Sequence, residues 1–162
     1  MIRHARPDDH TAIRSLIEAA FGQIDEADLV ERLRADGDVM FELIEEEAGQ
    51  VVGHILYSRL WADSEHLYAA LAPLAVRPER QRSGVGKRLT AASIETAKDF
   101  GAHAVLVLGH PDYYPKFGFS RDAAALVKSP YSESPAFMAL ALEDGALDRP
   151  VLIAYPNAFG QS

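Results

Sequence analysis

Apolar residues recur along the first part of the chain at helical spacing. Ala12, Ile13, Leu16, Ile17 and Ala20 share one face, which predicts a helix that Asp8 or Asp9 caps and Gly22 closes. The pattern repeats over Asp25–Asp36 with Leu29, Val30 and Leu33, and Gly37 is a natural stop. Met1–Ala5, short and edge-like, reads as a first strand. The period then changes: Val39–Glu46 and Val51–Ser58 are strand-like runs joined by Glu47-Ala48-Gly49-Gln50, a hairpin. After a turn at Ala62-Asp63-Ser64, Leu67–Val76 reads as a third strand of that sheet. Pro73 lies inside it and cannot donate to a ladder, so the strand must bulge or splay there.

Val85–Phe100 is an alanine-rich helix with Val85, Leu89, Ala92, Ala97 and Phe100 on one stripe, ended by Gly101. His103–Leu108 is a continuous apolar strand of the kind buried on both faces. Strand, glycine-containing loop, helix and parallel strand make a βαβ unit over about Leu67 to Gly109. Pro111–Phe117 has room only for a short helix or turn, and Ala136–Leu142 and Pro150–Tyr155 read as closing strands. Glu45-Glu46-Glu47 and Ser132–Pro135 read as solvated turns, and no internal repeat or linker interrupts residues 1–162, which read as one domain.

Composition narrows the chemistry. The net charge of −8 disfavours nucleic acid, which needs a basic face, and favours solubility first and cationic small molecules or peptides second. There is no cysteine, so disulfides, thiolate metal sites and an acyl-cysteine intermediate are excluded; that composition fits a cytoplasmic protein. No apolar run reaches the roughly 18–20 residues of a membrane span. The start, Met1-Ile2-Arg3-His4-Ala5-Arg6, carries no signal-like apolar region. The histidines come without the spaced carboxylates or thiolates of a metal site, and none is expected.

Chemistry concentrates at Gln81-Arg82-Ser83-Gly84-Val85-Gly86, where a strand hands over to a helix. The first N–H groups of a helix have no internal partner and the helix dipole is positive there, so the position suits an anion. Gly84 and Gly86 let the backbone close around phosphate oxygens, and Arg82, Lys87 and Arg88 add charge around the turn. A P-loop is excluded because Gln81 stands at its first glycine and Arg88 at its Ser/Thr. A dinucleotide fingerprint is excluded because Leu89 stands at its third glycine.

The pattern Q-x-x-G-x-G after the apolar strand Leu74-Ala75-Val76-x-Pro78 closely resembles the GNAT superfamily of acyl-CoA N-acyltransferases. So does Tyr113-Tyr114-Pro115-Lys116-Phe117-Gly118-Phe119, which matches that family's Y-x-x-x-G-F segment. Arg3-x-Ala5-Arg6-Pro7-x-Asp9, Val52-Gly53-His54-Ile55 and Tyr155-Pro156-x-x-Phe159 fit a small bacterial-type branch, so the likeness covers nearly the whole chain. The pattern departs where many members carry an Asn after the fifth strand and a longer helix before the Tyr. Here Gly109-His110-Pro111-Asp112 stands in that place.

The resemblance implies an α/β fold: a mixed, mostly antiparallel sheet of about seven strands, helices on both faces, and a splayed central parallel pair. It implies acetyl-CoA as co-substrate and no metal. The cofactor would lie along Leu74, Ala75 and Val76 and its diphosphate against Gln81, Arg82, Ser83, Gly84, Val85, Gly86 and Lys87. Pro73 would open the strands where the thioester lies, leaving an N–H near Leu74–Val76 to polarise its carbonyl. Tyr114 would protonate the departing thiolate; its alternative is a packed aromatic beside Phe117 and Phe119. His110 reads as helix-capping, with a base or cofactor contact as its alternative, and His54 as a satisfied core histidine. Asp63, Glu65 and His66 read as a solvated turn that could also hold an amine base.

The expected reaction is direct attack of a neutral amine, on a small molecule or peptide, in a ternary complex; a homodimer is compatible with it. A non-catalytic acyl-CoA sensor of the same fold is the rival reading, and an interaction subunit that has lost the cofactor is a second.

Overall fold

A computed structural model of the protein describes residues 1–160. Among these, eight strands and three α-helices follow one another as β1 (Ile2–His4), α1 (His10–Phe21), α2 (Asp25–Ala35), β2 (Val39–Glu47), β3 (Gln50–Ala62), β4 (Tyr68–Val76), α3 (Val85–Asp99), β5 (Ala104–Leu108), β6 (Val127–Lys128), β7 (Phe137–Ala141) and β8 (Val151–Ala154). The strand order is β1-β2-β3-β4-β5-β7, with β8 against the end of β3 and β6 against β8. The sheet is mixed and mostly antiparallel, with β4 and β5 parallel across the βαβ crossover. The fold class is the expected one, with β6, a two-residue strand too short to leave a period, added to it. The backbone gathers into two compact units, one of residues 1–57 and 73–95, the other of 58–72 and from 96 on.

In the first unit, strand alternation sorts the helices. Tyr57 hydroxyl meets Ser93 Oγ of α3 at 2.9 Å, and a Cβ on Gly53 would lie 2.6 Å from Val85 and 2.7 Å from Leu89, so odd positions of β3 face α3. His54 points the other way, its Nε2 2.8 Å from Glu42 Oε1, and Glu42 also receives Arg34 of α2 at 2.8 Å. Helices therefore cover both faces. Gly53 has a second use: it is the gap in β3 that lets the start of α3 lie directly on the sheet.

Four expectations are corrected here. Asp9 stands at the N-cap of α1, but its side chain does not cap the helix; the carboxylate accepts the Arg6 N–H at 2.7 Å and holds Arg3 in a two-toothed ion pair. Phe100 is off the buried stripe of α3 and 49% exposed, because the helix ends at Asp99; Ser93 and Ile94 are buried instead. Glu45-Glu46-Glu47 is not a turn but the end of β2, with Glu45 only 2% exposed, since the hairpin reverses over Ala48-Gly49 alone, both at positive φ. His54 is core but not fully satisfied, as its Nδ1 is buried without a partner among the described residues.

In the second unit, β4 and β5 pair from Tyr68↔Ala104 to Leu71↔Val107, and the register stops two residues short of Pro73. β5 continues antiparallel to β7 over five registered pairs. A core of Leu60, Tyr68, Leu106, Phe137 and Ile153 fills this unit, and Tyr68 donates its buried hydroxyl to Ala146 O at 3.0 Å.

Candidate active site

The loop between β4 and α3 is held by its own hydrogen bonds. A 3-10 turn at Pro78–Arg80 precedes it, Gln81 Nε2 donates back to Val76 O at 3.2 Å, and Ser83 Oγ donates to Arg80 O. Arg82 sits at φ +64° and Gly84 at φ +94°. A non-glycine residue in the left-handed region is uncommon and tends to persist where surrounding structure over-determines it, often at binding loops. α3 then starts at Val85, with Arg88 N–H donating to Gly84 O at 3.0 Å. Val85 is buried and anchors the turn, while Gln81, Arg82, Ser83 and Lys87 are exposed. The first N–H groups of a fifteen-residue helix thus open onto a turn at the surface, a geometry suited to an anionic group.

The charges around this turn are not equal. Arg82 and Lys87 stand in solvent with no carboxylate paired to them among the described residues. Arg88, grouped with them from sequence, is engaged: its Nε and Nη2 meet the two oxygens of Glu45 at 2.9 and 2.6 Å. Arg80 is held in the same way by Glu47, with Nη2 3.0 Å from Oε1. Hydrogen bonding from Arg80 pulls the Glu47 carboxyl below its ordinary value. Ala75 is buried, Leu74 and Val76 half-buried, and Arg77 N–H donates to Val52 O at 2.9 Å.

Tyr114 lies in the second unit, in the 3-10 turn Tyr114–Phe117. The carbonyl oxygen of exposed His110 accepts the N–H groups of both Tyr113 and Tyr114, while Tyr113 and not His110 stands at the N-cap of the turn. The Tyr114 ring is 8% exposed and packs edge-on against Tyr113 and Phe119, with centroids 4.9 and 5.6 Å away. Its hydroxyl makes no hydrogen bond with a described residue. Burial, with a smaller contribution from Tyr113, pushes its pKa well above the ordinary phenol value, so the group stays protonated. Gly109, read from the sequence only as the end of the βαβ unit and the start of the departing segment, fixes where the ring lies. A Cβ there would stand 2.7 Å from Cδ2 of Tyr114 and nearer still to Cε2. The only trace of this in the sequence is a glycine directly after an apolar strand.

Asp63 is committed to Leu152 N–H at 2.8 Å, and His66 stacks on His103 at 4.8 Å. Among the described residues no group of three or more His, Cys, Asp or Glu side chains could hold a metal ion, and no helix is long and apolar enough to cross a membrane.

Residues 9–119, the stretch that contains this loop and Tyr114, match the model of the acetyltransferase (GNAT) family. The chain belongs to the GNAT family. Within it, the chain is 43% identical to the uncharacterized N-acetyltransferase YjhQ of Escherichia coli over 68% of its own length and 64% of that protein's. It is 34% identical to the uncharacterized N-acetyltransferase YhbS of Escherichia coli over 91% and 90%. The crystal structure of YhbS in complex with CoA superposes with a TM-score of 0.90 at 30% identity, covering 99% of this chain and 92% of that one. A GNAT family acetyltransferase from Brucella melitensis in complex with acetyl-CoA gives 0.82 at 32% identity, covering 98% and 97%.

Proposed function

We propose that this GNAT acetyltransferase transfers the acetyl group of acetyl-CoA to a primary amine by direct attack in a ternary complex, acting as one domain. The observation that carries the reading is the shape of the loop: Arg82 and Gly84 at positive φ directly before a long helix whose first N–H groups face solvent. Its likeness to relatives that bind CoA and acetyl-CoA supports the choice of ligand. In this reading Gln81, Arg82, Ser83, Gly84, Val85, Gly86 and Lys87 receive the diphosphate, and Leu74, Ala75 and Val76 lie along the pantetheine arm. Backbone N–H groups do most of the binding, and Arg82 and Lys87 add charge.

The amine attacks the thioester carbonyl as its neutral form. An alkylammonium near pKa 10 must first lose a proton at neutral pH, through a base or a water chain. The chain has no cysteine to carry the acyl group, which favours direct transfer over a covalent intermediate. As the tetrahedral adduct collapses, the electron pair goes to sulfur. Tyr114 then serves as a hydrogen-bond donor to that sulfur. Full transfer to a thiolate whose acid has a pKa near 8.5 runs uphill from a phenol raised by burial, so the hydroxyl chiefly stabilises developing charge.

The test pairs acetyl-CoA binding, read as a rise in melting temperature, with turnover against a panel of amines, amino acids, polyamines and peptide N-termini. Binding with turnover of at least one acceptor is the expected result. Tight binding with no turnover on any acceptor would select the sensor reading, and no binding at all would sink both.

A further inference from the structure

We infer that Glu45 and Arg88 form a positioning pair for the diphosphate turn, the Nε/Nη2 edge of Arg88 being committed to Glu45 and not to the phosphates. The inference rests on the proposed binding of CoA at that turn. Glu45 is buried, its side chain 3% exposed, yet it projects from β2 toward the start of α3, 43 residues away in sequence. It takes up one full edge of the Arg88 guanidinium through two short hydrogen bonds. The opposite edge passes over Gly84, where a Cβ would stand 3.0 Å from Arg88 Nη1. Gly84 thus supplies both the backbone angle of the turn and the gap through which Arg88 reaches Glu45.

Two residues along the same face of β2, Glu47 holds Arg80, which stands just before the loop as Arg88 stands just after it. Ser83 ties its hydroxyl to the Arg80 carbonyl. The loop is therefore clamped at both shoulders to one strand, by two carboxylates that alternation puts on one side. Energetics decide what Arg88 does when an anion arrives. Swinging toward a phosphate would strand a buried carboxylate without its partner, a far larger cost than an exposed contact to phosphate returns. Arg82 and Lys87, which leave no such partner behind, are the cations available to the ligand.

Glu45→Gln tests this by sign. It frees Arg88 while keeping the shape of the side chain, so an arginine that bound phosphate would bind CoA equally well or more tightly in the variant. A positioning pair predicts the reverse: a CoA dissociation constant raised about tenfold by calorimetric titration, as for charge pairs that share a network. Arg88→Lys keeps the charge, loses the two-toothed geometry, and should weaken CoA to the same degree. The two changes together should be no worse than either alone. In the ligand-free variants, amide exchange at Arg88 should quicken, and kcat/KM should fall further with acetyl-CoA than with acetyl-pantetheine, which lacks the diphosphate. Wild-type protein that fails to bind CoA would overturn the functional reading and this inference with it. Wild-type binding with unchanged or tighter CoA in a folded Glu45→Gln variant would overturn the inference alone and assign Arg88 to the phosphates.

Discussion

The turn proposed for the diphosphate and the Tyr114 turn are built from opposite materials. Around the first, arginines are held by carboxylates, hydroxyls by carbonyls, and the backbone takes two left-handed angles. Around the second, two aromatic rings and a glycine hold a phenol whose hydroxyl bonds to no described residue. The difference fits what each is proposed to meet. A turn for a multiply charged group has to keep its own charges pinned so that N–H groups stay aimed outward. A group that responds to charge appearing only during reaction is best left neutral, dry and unbonded. Each site also depends on a missing Cβ: Gly84 makes room for a guanidinium, Gly109 for a ring.

The largest expected effect would break the comparison at the aromatic side. Tyr114→Phe keeps the ring and its packing, so CoA affinity should survive while kcat falls by about 10²–10³-fold with little change in KM. Gly109→Ala retains the hydroxyl but drives the ring from its place, and should lower kcat in the same direction. Wild-type kcat in Tyr114→Phe, with an acceptor known to turn over, would reduce Tyr114 to packing.

Next in size is the turn itself. At a ligand concentration 100-fold above the dissociation constant, acetyl-CoA should stabilise the protein by about 2.7 kcal/mol. Gly84→Val should abolish that shift, since a branched side chain is strained at φ +94° and crowds Arg88. A thermal scan showing the shift intact would remove the loop from the binding site.

Charge-held parts should also be the acid-sensitive ones. Burial alone would raise the Glu42 carboxyl, but hydrogen bonds from Arg34 and His54 outweigh it and bring the pKa to about 2. Because this folded value lies below the ordinary 4.5, the stabilisation is fully present above about pH 4.5 and lost as pH falls toward 2. Glu42→Gln should cost about 1–3 kcal/mol at pH 7 and flatten the acid limb of the melting-temperature profile. An acid limb of unchanged steepness would show that Glu42 does not set it.

The smallest effect separates the two cations in solvent from those in pairs. Replacing Arg82 and Lys87 by Ala should weaken CoA by about 1.5- to 5-fold per residue and make its affinity fall less steeply with salt. Identical salt slopes in variant and wild type would leave both side chains without a role.

Much of this architecture is written locally. Helical spacing in residues 12–20, alternation after Val39 and the apolar run before Gly109 are read from short windows, because burial of one face imposes a period wherever it occurs. The turn at Gln81–Gly86 is legible for the same reason: glycines, a following helix and a preceding strand define it within about ten residues. Tyr114 is legible through its neighbours Gly118 and Phe119. Less local features escape. β6 is two residues long, and the start of α1 carries an aspartate that is spent on Arg3 rather than on the helix.

The sequence by itself determined the elements, the family and the two turns where the chemistry is read. Tertiary structure alone decided which charges are free. Nothing near Arg88 marks it as different from Lys87; the difference is a carboxylate 43 residues earlier, on a strand whose end looks like a solvated acidic turn. Nothing near Gly109 says that a ring five residues on will lie against it. Such pairings depend on how strand alternation and helix placement bring distant positions together, and a local pattern carries no record of them.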